Sequence, residues 1–131
     1  MKAIKNRADI FLLVSTFYNE IRNDDLIGPV FNRVIPTEKW PDHLEKLTDF
    51  WETNLFGISK FKGNPVQAHR EVDKAHNYSI DQEHFGRWLN IWFSTIDSLY
   101  NCDKSQRAKD SARAMATGQY VAMWQAKPCN M

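Results

Sequence analysis

Between Asn6 and Arg22 the apolar residues Ile10, Leu13, Val14, Phe17 and Ile21 recur three and four positions apart, the spacing that lays one stripe along a helix. Tyr18 lies beside that stripe. Asp24 and Asp25 can start a second, short helix carrying Ile27, Val30, Phe31 and Val34, interrupted near its beginning by Gly28-Pro29 and ended by Pro36. Thr37 is placed to cap a third helix running to Phe56, with Pro41 in its first turn and Gly57 as its stop. His43, Leu47, Phe50, Trp51 and Leu55 share one side of it. The pattern lapses from Ile58 to Gly63, and Asn64-Pro65 then reads as N-cap and first residue of a short helix ending near Ala75. Asp81 opens the most regular helix, with the face Phe85, Trp88, Leu89, Trp92, Ile96 and Leu99. Asp103 or Ser105 begins a last one carrying Ala108, Ala112, Met115, Gln119, Ala122 and Met123 before Pro128. No segment alternates as a strand would, so the chain is expected to be all-α.

The 131 residues show no internal repeat, no low-complexity tract and no Gly- or Pro-rich linker. Residues 1–131 are therefore expected to form a single domain around one core. Lysine and arginine number 17 against 16 aspartates and glutamates, and a net charge of +1 offers no broad attraction to nucleic acid or anionic lipid. The longest apolar run, Ile10 to Val14, is too short to span a membrane and lacks the flanks of a signal peptide. Cys102 and Cys129 lie far apart and outside any C-x-x-C pattern, as ordinary thiols of a reducing, cytoplasmic setting do. Five Trp and eight Phe exceed what a minimal helical bundle needs, which leaves room for something planar among them.

The sequence holds no phosphate-binding Gly-rich loop, no H-E-x-x-H, no G-x-S-x-G and no C-x-x-C-H. Its chemistry rests on aromatics and on four histidines, His43, His69, His76 and His84. His76 stands in the polar stretch before Tyr78, and His84 falls in a first helical turn where hydrogen bonding near the cap is reason enough for it. His69 projects from the second turn of the short helix fixed by Asn64-Pro65. There one ring nitrogen can donate to a carbonyl a turn earlier and leave the other for a metal, as a proximal haem ligand does.

Phe17-Tyr18, Gly28-Pro29-Val30-Phe31, Trp40-Pro41-Asp42-His43-Leu44, Phe50-Trp51, Gly63-Asn64-Pro65 with His69, and His84-Phe85 with Trp88-Leu89 follow one another across roughly residues 10–100. In that order they strongly resemble the group III truncated haemoglobins. The resemblance implies a truncated globin fold, a two-on-two helical sandwich around non-covalent haem b. His69 would be the proximal iron ligand, and Tyr18 with Trp88 the distal hydrogen-bonding pair. A phenol O–H and an indole N–H both suit a bound diatomic gas carrying partial negative charge. His43 resembles the family's distal histidine, and the sequence leaves open whether it gates entry, donates to the ligand or swings to solvent. Phe31, Trp40, Leu47, Phe50 and Trp51 are candidates for the distal wall and haem edge; Val66, Trp92 and Met115 are candidates for the proximal side. Taken singly, core packing explains each of these apolar residues as well. The family often carries Tyr where Phe61 stands, and Arg70, Lys60 and Lys62 are candidate partners of the propionates.

The function so implied is haem-based binding of oxygen, with nitric oxide or carbon monoxide as further ligands. Two distal donors favour slow release, hence handling of scarce oxygen or conversion of a reactive species over bulk transport. The alternative is a haem enzyme for nitric oxide dioxygenation or peroxide reduction. Lacking a nicotinamide or flavin fingerprint, such an enzyme would draw electrons from a separate reductase.

Overall fold

The computed structural model describes residues 3–57 and 82–126, the side chains of 121–126 excepted. Helix α1 spans Arg7–Arg22. The Asn6 side chain caps it by accepting the Asp9 N–H at 3.0 Å, and the Asp9 carboxylate reaches back to the Lys5 N–H at 2.8 Å, so two amides without helical partners are satisfied reciprocally.

The chain then turns on Asp24, whose carboxylate accepts the N–H groups of Leu26 and Ile27, each at 3.0 Å. Burial alone would raise the Asp24 pKa, but these two bonds and Arg87 outweigh it and hold the group below its ordinary value. Helix α2 covers Gly28–Val34. Gly28-Pro29 thus begins this helix and does not interrupt it. Proline in the first turn costs no helical hydrogen bond, and a Cβ on Gly28 would stand 2.8 Å from the Arg22 carbonyl oxygen. Val34, expected on the apolar face, is exposed.

Thr37 does not cap the third helix. It opens a single 3-10 turn, Thr37–Lys39, and α3 follows as Trp40–Phe56 with no side-chain cap. Gly57, at φ 69°, ends α3 in the left-handed conformation a side chain would strain. Helices α4, Gln82–Leu99, and α5, Asp103–Ala126, complete the described elements, which include no β-strand. None of these helices is long and apolar enough to cross a membrane.

Helix α1 lies antiparallel between α3 and α4. Its first residue, Arg7, meets Glu52 near the end of α3, whereas Tyr18 near its own end meets His43 near the start. On the other side, Tyr100 just beyond α4 donates its hydroxyl hydrogen to the Asp9 carbonyl at 2.8 Å, and Arg87 pairs with Asp24 at 3.0 Å. Helices α4 and α5 pair likewise, Phe85 against Tyr120 at one end and Trp92 against Ala108 nearer the other. The described elements form an all-α arrangement, as expected. Ile10, Leu13, Val14, Phe17 and Ile21 are buried along α1, as their spacing requires, each burial contributing roughly 1.5–3 kcal/mol. Ala108 and Ala112, both fully buried, keep α5 slim enough for the Trp92 indole N–H to reach the Ala108 carbonyl at 3.1 Å.

One ion cluster crosses from α1 to α3. Arg7 bonds Glu45 at 2.7 Å, Asp49 at 2.6 Å and Glu52 at 2.9 Å, and these carboxylate side chains are 59%, 33% and 7% exposed. The exposed pair contributes little, whereas the buried Glu52 carboxylate depends on its charged neighbour. Arg7→Ala is expected to lower unfolding free energy by about 1–3 kcal/mol and Glu45→Ala by less than about 1 kcal/mol, read from urea denaturation midpoints.

Candidate functional site

Helices α1 to α4 each send an aromatic or imidazole ring toward Tyr18, in the last turn but one of α1. The Tyr18 ring centroid lies 4.7 Å from Phe17, 5.9 Å from Phe31, 5.7 Å from Trp40 and 5.7 Å from His43. Trp88 of α4 and Phe17 meet at right angles with centroids 5.5 Å apart. Burial pushes the Tyr18 phenol far above its ordinary pKa, and the hydrogen bond with Trp88 opposes that shift only in part. Tyr18 therefore keeps its proton at any physiological pH. Because an indole N–H can only donate, the Trp88 contact uses a lone pair of the Tyr18 oxygen and leaves the phenolic hydrogen available.

His43 is half-buried, and its ring meets Trp40 edge to face at 5.2 Å. Burial, with a smaller contribution from the Lys46 charge, holds its pKa below the ordinary value. Among the described residues the buried Nε2 of His43 and Nε1 of Trp40 have no hydrogen-bond partner, an arrangement that costs roughly 1–3 kcal/mol per group until something polar meets it. The unfolded chain, with imidazole pKa near ~6.5, takes up a proton that the folded ring resists. The stability His43 lends is thus present above about pH 6.5 and lost as pH falls below it. In wild type the urea midpoint is expected to drop more steeply on acidification than in His43→Gln; equal slopes would contradict this.

The other side chains divide. Phe31 and Trp40 join the Tyr18 group, and Leu47, Phe50 and Met115 are partly buried against the core. Trp51 and Trp92 lie deeper, stacked on each other at 4.6 Å with planes 25° apart, and Trp92 is closed off entirely from solvent. His69 and Val66 lie outside the described residues, as do Phe61, Arg70, Lys60, Lys62 and the helix expected from Asn64 to Ala75. A shallow polar groove between α1 and α4, lined among others by Thr16, Glu20, Asn90 and Ser94, contains none of the candidate residues.

Arg22 was not foreseen in the site. Its guanidinium lies over the Trp40 ring at 4.6 Å, braced by Asn32, which accepts from Arg22 Nε at 3.2 Å and donates to the Arg22 carbonyl at 3.0 Å. Its place one turn beyond Tyr18 on the same helix was the available signal.

No family model matches the chain. The group 3 truncated hemoglobin ctb of Campylobacter jejuni subsp. jejuni is 32% identical over 98 residues, 73% of this chain and 73% of that protein. The crystal structure of group III truncated hemoglobin from Campylobacter jejuni aligns with a TM-score of 0.85 at 26% identity, covering 98% of this chain and all of that one. The likeness thus extends over the whole helical framework around Tyr18.

Proposed function

The chain belongs to the group III truncated haemoglobins, and on that premise we propose that it holds one haem b through His69 and binds oxygen or another diatomic gas against Tyr18, Trp88 and His43. The observation that carries the reading is the pair of orphaned polar atoms, His43 Nε2 and Trp40 Nε1, buried beside a protonated phenol in an aromatic enclosure. An apolar enclosure lined by such groups fits a planar apolar macrocycle that presents a polar ligand at its centre. His69 would supply the fifth coordination bond, and Phe31, Trp40, Leu47, Phe50, Trp51, Val66, Trp92 and Met115 the surrounding apolar contacts.

Bound haem would supply the iron that takes the gas; the protein residues decide how firmly it stays. Trp88 would donate to the Tyr18 oxygen and so leave the phenolic hydrogen for a ligand with partial negative charge. The surrounding rings exclude water that would compete for that hydrogen. His43, kept neutral, adds a donor or an acceptor without bringing a charge into the enclosure.

Removing the phenolic hydrogen tests the assignment. Tyr18→Phe is expected to retain haem and to speed oxygen dissociation about tenfold, the equivalent of one neutral hydrogen bond of about 1.4 kcal/mol. Stopped-flow displacement of oxygen by carbon monoxide reads the rate, and an unchanged rate would remove Tyr18 from the role. A purified chain that stays colourless and takes up no added haemin would end the haem reading itself.

A further inference from the structure

Three indoles form a continuous stack whose electronic continuity ligand binding at Tyr18 does not explain. Trp88 lies near-parallel to Trp92, with centroids 6.2 Å apart and planes at 13°, and Trp92 in turn stacks on Trp51 at 4.6 Å and 25°. Trp92 is fully buried and Trp51 is 3% exposed. Phe17 packs nearly perpendicular to both Trp88 and Trp92, so the column is braced from α1.

Indole and phenol are the side chains that give up a single electron most readily, and they differ in what they need. A phenol must pass its proton to a base as the electron leaves. Among the described residues the Tyr18 hydroxyl is hydrogen-bonded to no base: its contact is Trp88, a donor only, and the Nε2 of the neighbouring His43 has no partner. An indole can lose an electron and keep its proton, and a stacked neighbour spreads the resulting charge. The Trp92 N–H donates to the Ala108 carbonyl at 3.1 Å, a bond that strengthens when the donor becomes charged. Trp40, the other indole of the site, carries the Arg22 guanidinium over its face at 4.6 Å, and that positive charge opposes a second one on the ring.

We infer that the Trp88–Trp92–Trp51 stack is a one-electron reservoir that supplies the haem centre when a peroxide oxidises it, in preference to Tyr18, Trp40 or the porphyrin. The inference rests on the haem reading above. Haem, if held as proposed, would supply cleavage of the peroxide O–O bond, with one oxygen leaving as water with both peroxide protons and the other retained until it is reduced. Of the two electrons consumed, the ferric iron gives one and the stack gives one, which leaves an indole cation radical. Two electrons from a small one-electron reductant of the ascorbate class, with two protons, then release the second oxygen as water and restore both centres.

The test is freeze-quench electron paramagnetic resonance of the ferric haem-loaded full chain after one equivalent of hydrogen peroxide. A radical is expected whose hyperfine structure narrows with ring-deuterated tryptophan and is unaffected by ring-deuterated tyrosine. Trp92→Phe should lower its yield severalfold and raise haem bleaching per peroxide by a similar factor. A tyrosine-dependent signal, or yield and bleaching unchanged in Trp92→Phe, would overturn the inference. Should that variant not fold, Trp51→Phe replaces it with the same expected fall in yield, and the isotope result decides between tyrosine and tryptophan. The Soret band recorded before peroxide separates the two claims: without it the haem reading fails and this one with it, whereas a normal band followed by no tryptophan radical overturns the reservoir only.

Discussion

Glycine in place of His69 is expected to weaken haem retention by more than roughly 100-fold, beyond the ~10–100-fold that loss of an outer-shell partner costs a metal site. Under the proposed function this imidazole is the one coordinate bond from protein to iron, and the rest of the attachment is apolar contact. Haem transfer to an excess of apomyoglobin would measure the loss. Free imidazole added to His69→Gly should enter the space left by the side chain and restore both the spectrum and the slow transfer. Rescue of that kind separates a missing ligand from a misfolded chain. A variant that keeps haem as tightly as wild type, with an unshifted Soret band, would move the fifth ligand to another residue.

The second large effect belongs to Phe17. At 1% exposure, it contacts Tyr18 at 4.7 Å, Trp92 at 4.8 Å and Trp88 at 5.5 Å between centroids, and so joins Tyr18 to the indole column. Phe17→Ala is expected to cost about 3–5 kcal/mol, lost transfer energy plus the cavity left among rings that are themselves held from several sides. For a chain of this length the melting temperature should fall by roughly 10–20 °C. Phe11, on the outer side of the same helix and 38% exposed, is the matched control; Phe11→Ala should change stability by no more than about 0.5 kcal/mol. Because Phe17 also props Tyr18, the haem-loaded variant should lose oxygen faster than wild type. Equal stability losses at positions 11 and 17 would contradict the packing described.

The helical framework was legible because burial follows a period written into the chain: Ile10, Leu13, Val14, Phe17 and Ile21 are all in the core. Boundaries were less so. Gly28-Pro29 carries both a breaking and a starting signal, and the Asp24 carboxylate, by holding Leu26 and Ile27 in a turn, decides for starting. Thr37 has a capping side chain, yet the chain passes through a 3-10 turn before α3. Motif order brought Tyr18, Trp88, His43, Phe31 and Trp40 to attention together, and the structure gathers these rings. Spacing within a helix says nothing of which helices cross where, so the stacking of Trp51 on Trp92 and the seat of Arg22 on Trp40 were not readable beforehand. The expectations for His69 and Val66 fall outside the described residues.

Arg7 grips carboxylates on successive turns of its neighbour, at positions 45, 49 and 52. It therefore acts as a key that admits one axial setting of two antiparallel rods, since a slip of one turn, about 5.4 Å, would carry it past the innermost tooth. Eleven residues along the same rod, roughly 16 Å away, the setting emerges as the depth to which a phenol projects opposite an imidazole. A charge cluster at the rim thus sets the spacing of a ring pair, Tyr18 and His43, that it never touches.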